Sequence, residues 1–355
     1  MCQSLLSQID TERNVLKIVF FGPPQNNKEY LQQLNALIRS TKAHFRDRPP
    51  LVSYVSQKPL KGMLNAEVVC MAPTENVTIS YQDNYIVINN GVCRELITAG
   101  ILPPDISAPH SVQSNAVFDR IEEIMIHENF PINSIVRQWN YIENISRFDG
   151  ENQNYQDFNN SRSHFYAKTD WNKGYPAATG IGTQYGGIMV EIVAMQGEGL
   201  INKALDNALQ IAAHRYSQDV LLGATDPGFK QRTTPKFERA RVVGLPDMQT
   251  IYISGTAAIR GETSLIVDDI IEHTKVTMEN IDFLISNENY PVEHVSRTYK
   301  ILRIYVKKPS QMEDVRNYMK ANYPDVKKIY ICADICRDEL LLEIEGIAEL
   351  ETVLF

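Results

Sequence analysis

Two stretches of the chain repeat the same order of pieces, and this constrains the fold more than any other feature. The first reads INSIVRQWNYIENI, then ENQNYQDFNNSRSHFYAK, then YPAATGIGTQYGGIMVEIVAMQG. The second reads VSRTYKILRIYVKKPS, then QMEDVRNYMKANYPDVKK, then IYICADICRDELLLEIEGIAE. Each predicts a strand, a helix and a strand pair whose last member holds Glu-Ile, in VEIVA at 190–194 and LEIEG at 342–346. Aligning the two Glu-Ile pairs makes Glu191 the counterpart of Glu343. A unit of this size cannot bury its apolar face alone, so repetition predicts copies packed on one another. Helices laid on one face of a mixed sheet, built twice, give an α+β architecture. We divide the chain at 200: residues 1–200 form an N-terminal half with an N-terminal extension, and 201–355 form a C-terminal half carrying the Glu343 strand.

The remaining segments follow from local pattern. Up to about residue 110, strand-like runs such as VLKIVFFGPP and VTISYQDNYIVINNG alternate with turns. NKEYLQQLNALIRSTKAHF has helical spacing, with Leu31, Leu34, Leu37 and Ile38 on one face. VFDRIEEIMIHENF is a second helix, ending before Pro131. DDIIEHTKVTMENIDFLIS is a helix ahead of the second copy, preceded by the strand TIYISGTAAI. TDPGFKQRTTPKFERA, 225–240, is polar with two prolines and reads as a loop connecting the halves.

Composition narrows the function classes. A hydrophobic content of 43% with 22% charged residues fits a globular protein. A net charge of −8 argues against a nucleic-acid binder that relies on a broad basic surface. No apolar run approaches the roughly 18 residues of a membrane span. The start has no basic region followed by a long apolar stretch, so a signal peptide is not expected. The five cysteines, Cys2, Cys70, Cys93, Cys332 and Cys336, form neither a disulfide framework nor paired zinc ligands. A cytoplasmic protein with reduced thiols is the expectation. The seven histidines are scattered, with none spaced as a metal ligand pair. Gly180, Gly182 and Gly186 in TGIGTQYGG depart from the GxGxxG dinucleotide spacing and precede a strand rather than a helix. They are expected to permit close backbone approach to a ligand or to the other half.

The second copy resembles the Rid (YjgF-like) fold in YISG at 252–255, in the strand–helix unit RTYKILRIYVKKPSQMEDVRNYMKANYP, and in LLLEIEGIA. QWNYIENI, YPAATGIGTQYGGIMVEIVAMQG, KFERARVV, ISGTAAIRGETS and ADICRDELLLEIEG together resemble the chorismatases, a family of two fused Rid-like halves, over roughly 135–350. The resemblance implies conversion of chorismate with release of pyruvate and no cofactor or metal. It implies 3-hydroxybenzoate as product, with room for some 4-hydroxybenzoate. A hydrolytic chorismatase giving a dihydroxycyclohexadiene carboxylate is the enzymatic alternative. A non-catalytic Rid-like ligand binder is the alternative of another class. Rid domains usually form trimers with sites between subunits, so two fused halves are compatible with a monomer or a small homo-oligomer. No nucleic-acid or membrane partner is implied.

Site residues follow from the resemblance and from chemistry together. The family's general acid in the final strand falls on Glu343, and the cysteine of its aromatising subgroup, seven positions earlier, on Cys336. An acid protonating an enol methylene must hold its proton near neutral pH, which burial promotes. Glu191 is expected to be the less functional copy. Chorismate has two carboxylates, which bidentate arginines suit. The candidates are Arg162 with Tyr155 on one helix, Arg239 in FERA, Arg260 after a strand, and Arg337 beside Cys336. Strand alternation turns Arg337 away from Cys336 unless a turn intervenes. Tyr185 is the candidate for contact with the substrate ring.

Overall fold

The structure, a computed structural model, describes residues 2–10, 13–74 and 76–352. It contains the repeated unit three times. The first copy is β1 (Asn14–Gly22), α1 (Asn27–Phe45), β2 (Leu51–Ser56) and β3 (Asn65–Met71). A three-stranded meander, β4 (Thr78–Tyr81), β5 (Tyr85–Asn89) and β6 (Cys93–Thr98), and helix α2 (His110–His127) lead into the second. That copy is β7 (Ile135–Glu143), α3 (Asn154–Tyr166), β8 (Ala177–Thr183) and β9 (Ile188–Gly197). A second meander, β10 (Ile201–Leu205), β11 (Ala240–Leu245) and β12 (Met248–Thr256), and helix α4 (Ile270–Ile285) lead into the third. It is β13 (Val295–Val306), α5 (Met312–Asn322), β14 (Lys327–Cys332) and β15 (Leu342–Thr352).

The three sheets have matching orders. They run β2-β1-β3, then β8-β7-β9-β6-β5-β4, then β14-β13-β15-β12-β11-β10, the last extended past β14 by Lys58–Pro59. In every copy the first strand pairs in parallel with the strand after the helix and antiparallel with the last strand. The first copy has no meander and is the short one. One apolar core draws on all three sheets, with Val19 and Phe21, Trp139 and Tyr141, and Tyr252 and Tyr305 among its members. Strands β1 and β7 are buried along nearly their whole length, on both faces, so they read as continuous runs without alternation. Helix α1 starts at Asn26, whose side chain accepts from the Glu29 N–H at 2.9 Å. Its buried face is Tyr30, Leu37 and Thr41, while Leu31 is exposed, so the face read from leucine spacing is rotated.

Ladder register shows which residues are equivalent. The third rung of each parallel ladder is Val19–Ser53, Trp139–Thr179 and Arg303–Ile329. Opposite those first-strand residues on the last strand lie Glu67, Glu191 and Glu345. Glu191 is therefore the counterpart of Glu345, and the counterpart of Glu343 is Met189. The seams agree. The Gly100 N–H donates to Ser53 Oγ at 2.9 Å between the first and second copies, and the Gly255 N–H donates to Thr179 Oγ1 at 3.0 Å between the second and third.

The three equivalent acids form a closed set of ion pairs, each with a cation from another copy. Lys17 binds Glu191 at 2.8 Å, Arg137 binds Glu345, and Arg303 binds Glu67 through two contacts of 2.6 and 2.7 Å. Arg303 also reaches Glu345 at 3.1 Å. All these side chains are nearly inaccessible, so each pair must be matched to avoid an uncompensated buried charge.

The segment 206–239 is not a connector between halves. It belongs to the third copy, between β10 and β11, and folds over the seam with the second. Among the described residues no helix is long and apolar enough to cross a membrane.

Candidate active site

The seam between the second and third copies opens into a cavity of about 780 Å³ counting its mouth. β8 lies along β12 there. Ala178 N–H donates to Ser254 Oγ at 2.9 Å, and Gly182 N–H to Asp334 O at 2.8 Å. Small residues make this approach possible: a Cβ on Gly180 would stand 2.9 Å from the Tyr155 ring, and one on Gly182 would stand 2.8 Å from Asp334. At the seam between the first and second copies the position of Gly180 on the parallel ladder is taken by Tyr54. Tyr54 stacks on Tyr30, whose hydroxyl lies 3.7 Å from Met189 Sδ. Aromatic side chains fill that seam where the other stays open.

Glu343 lies on β15 and faces this cavity, 5% exposed. It receives no hydrogen bond from the described residues. Its Oε1 rests so close to Gly255 that a Cβ there would stand 2.0 Å away. Burial, and next the neighbouring Glu345 carboxylate, push its pKa up to about 8, against the pull of Arg137 and Arg239. Glu345, on the same strand face, goes the opposite way. Burial alone would raise it, but Arg137, Arg303 and hydrogen bonds from Thr179 and Tyr305 bring it below the usual carboxylate range. Two carboxylates two residues apart are thus split into a neutral acid and an anion.

Cys336 and Arg337 both line the cavity, because residues 333–341 leave the strand in a turn. Burial, and then Glu343, push the Cys336 thiol up to about 12, so the group present is the thiol. Arg337 donates to Glu262 O at 2.9 Å and Ser264 Oγ at 3.0 Å, and its guanidinium lies 5.2 Å from the Tyr216 ring centroid. Arg239 donates to Ile211 O at 2.6 Å and to the Tyr216 hydroxyl at 2.7 Å. Neither arginine pairs with a carboxylate among the described residues. Tyr155, Gln153, Gln156 and Asn159 bring polar groups from the second copy, while Leu221, Leu222 and Phe237 of the 206–239 segment cover the top.

Three sequence candidates lie elsewhere. Arg162 is fully buried behind the wall, donating to Asn159, which does line the cavity. Arg260 pairs with Glu279 and Asn280 of α4 at the end of its short hairpin. Tyr185 packs with the cluster around Tyr30 at the first seam, because the chain turns at Gly186 and carries it away from the cavity. Sequence reasoning missed Tyr216, which lies between the two arginines. It is a lone tyrosine in an unpatterned segment, and no motif marked it. Among the described residues no three His, Cys, Asp or Glu side chains gather as a metal site would need.

Residues 91–194 match the model of the family described as chorismatase FkbO/Hyg5-like, N-terminal. A 3-hydroxybenzoate synthase of Streptomyces hygroscopicus is 28% identical over 258 residues, covering 70% of this chain and 72% of that protein. A chorismatase of the same organism is 26% identical over 255 residues, covering 70% of each. The chain is thus similar to chorismatases over most of its length. The crystal structure of a chorismatase superposes with a TM-score of 0.71, covering 96% of this chain and 94% of that one at 20% identity. The α+β chorismatase fold therefore extends over the first copy, where the sequence resemblance was loose.

Proposed function

We propose that this protein converts chorismate to 3-hydroxybenzoate and pyruvate, with Glu343 as general acid. One observation carries the reading. A buried carboxylic acid, neutral at pH 7, faces a cavity with two arginines, Arg239 and Arg337, that lack carboxylate partners. That pairing suits a dianionic substrate with an acid-labile vinyl ether. Arg239 and Arg337 hold the two carboxylates, with Tyr216 stacked between them. Glu343 gives its proton to the enolpyruvyl methylene carbon, leaving an oxocarbenium-like centre. The neighbouring ring hydroxyl closes on the ring carbon as that carbon's bond to the enolpyruvyl oxygen breaks, and pyruvate leaves. The protonated epoxide so formed opens at its far carbon, leaving the oxygen at position 3 as a hydroxyl while its carbon loses a proton and the ring becomes aromatic. Chorismate equals hydroxybenzoate plus pyruvate in atoms, so no water is consumed and no oxidant is required. Glu343, ionised by the first step, accepts the ring proton and regains its starting state. Cys336 packs beside it as a neutral thiol and selects the aromatising route by occupying space a water would need.

The test is to incubate the protein with chorismate, follow pyruvate by a coupled assay, and identify the ring product by mass and NMR. Equimolar pyruvate and 3-hydroxybenzoate are expected. A dihydroxycyclohexadiene carboxylate would replace this reading with the hydrolytic one. No pyruvate above background would leave a ligand-binding protein.

A further inference from the structure

Three copies place three equivalent acids at the common core: Glu67, Glu191 and Glu345. Glu343 is an additional acid, present only in the third copy. Its counterpart is Met189 in the second and Asn65 in the first. Same-face residues two apart on a strand stand roughly 7 Å from each other. The second copy sends one cation to this strand, Arg137, and two carboxylates are there to receive it.

Arg137 goes to Glu345, and four further groups hold that choice. Thr179 Oγ1 bonds Glu345 and receives the Arg137 N–H at 2.7 Å. Trp139 Nε1 donates to Glu345 at 3.1 Å, Tyr305 Oη at 2.8 Å, and Arg303 at 3.1 Å. The Arg137 guanidinium also lies 4.5 Å from the Trp139 ring centroid. Every one of these groups is buried.

We propose that Glu345 is a positioning residue for the reaction: by retaining Arg137 it denies that cation to Glu343 and keeps Glu343 as the proton donor. This rests on the reading of Glu343 as the acid. The titratable and charged groups around Glu343 are few. Glu345 is on its own strand, Arg137 on β7, Tyr305 opposite on β13, Tyr155 on α3, Cys336 and Arg337 on the turn before β15, and Tyr216 and Arg239 in the covering segment. β8 and β12 face it with Thr179 and Gly255, which do not titrate in this range. Glu345 is the nearest anion and Arg137 its counterion, so the pair controls the field at Glu343.

Glu345→Gln keeps the shape and removes the charge. Glu343 then loses an anion beside it, and Arg137 is released toward it. Both changes favour ionised Glu343, so the alkaline fall of kcat/KM moves to lower pH by about one unit or more. At a pH above that fall the variant is about tenfold slower than wild type. Arg137→Gln removes the cation instead, and Arg303 still holds Glu345, so its fall moves to higher pH. Infrared difference spectra across pH read the protonated carboxyl of Glu343 without turnover, the band being assigned by its loss in Glu343→Gln. Opposite displacement of that band in the two variants supports the proposal. An unmoved band with slower turnover at every pH would make Glu345 merely structural and overturn it. If Glu345→Gln does not fold, the Arg137→Gln band alone decides, and an unmoved band there overturns the proposal. If the band moves as expected while Glu343→Gln still releases pyruvate normally, the acid assignment fails and the Glu345 lock stands.

Discussion

Gly255→Ala tests the geometry of the acid directly. The added methyl would stand 2.0 Å from Glu343 Oε1, 2.9 Å from its Cδ and 3.0 Å from Thr179 Cγ2. An ordinary carbon–oxygen contact is about 3.2 Å, so the carboxyl must retreat by about 1 Å. It is the far end of a flexible side chain at the edge of a cavity, so the displacement costs little stability. A 1 Å error in a reacting group costs about 100-fold in rate, or about 2.7 kcal/mol of transition-state stabilisation. The matched control is Gly100→Ala at the first seam. Its methyl would stand 2.2 Å from Met189 Sδ, in a packed cluster with no cavity to receive the thioether. Overpacking there costs about 1–3 kcal/mol. The assay is kcat/KM for pyruvate release beside a thermal melt for each variant. Gly255→Ala is expected to be slow and nearly as stable as wild type, Gly100→Ala active and less stable. Gly255→Ala activity within threefold of wild type would refute the placement of the acid against this glycine.

Glu343→Gln is expected to lower kcat by about 10²–10⁴-fold. Wild-type activity should be flat near neutrality and fall as pH rises through about 8, because the protonated form is the active one; a profile that instead rises through this range contradicts the acid role. Cys336→Ala is expected to retain pyruvate release and divert part of the ring product toward the dihydroxy acid, read by NMR, and an unchanged product mixture would remove Cys336 from product selection. Lys17→Met leaves Glu191 buried without its cation and should cost about 3–5 kcal/mol in denaturant unfolding; a loss below 1 kcal/mol would mean that Glu191 takes up a proton or water instead.

The strand–helix–strand-pair unit was legible because its pieces follow one another in a fixed order. Its internal alignment was not. Matching the Glu-Ile letters paired Glu191 with Glu343, whereas ladder register pairs Glu191 with Glu345. A slip of two residues keeps every side chain on its original face, so hydrophobic alternation cannot detect it. The first copy escaped notice because its strands share few letters with the others and its helix runs 19 residues against 13 and 11. That Glu343 and Cys336 would meet at one place was legible through the family's spacing, and both line the cavity. Arg337 was left open between the cavity and the far face of the strand, and the turn at 333–341 brings it to the cavity wall. Arg162 was not legible: α3 buries Asn159, Asn160, Ser161, Arg162 and Ser163 in succession, so polarity gave no guide to which face met the cavity. The cover over the cavity, 206–239, owes its shape to tertiary contacts and has no period to read.

Carrying three sheet units on one polypeptide changes how the cavity can be lost. Both walls of the open seam are tethered, so their effective concentration is fixed by the chain and not by the amount of protein in solution. Specific activity should therefore hold constant on serial dilution. Tethering also frees the seams from one another. In a ring of identical subunits a substitution is made at every interface, whereas here Tyr54 could close one seam while Gly180 left another open. The surplus interface becomes a site where bulk can be added for stability without obstructing the cavity.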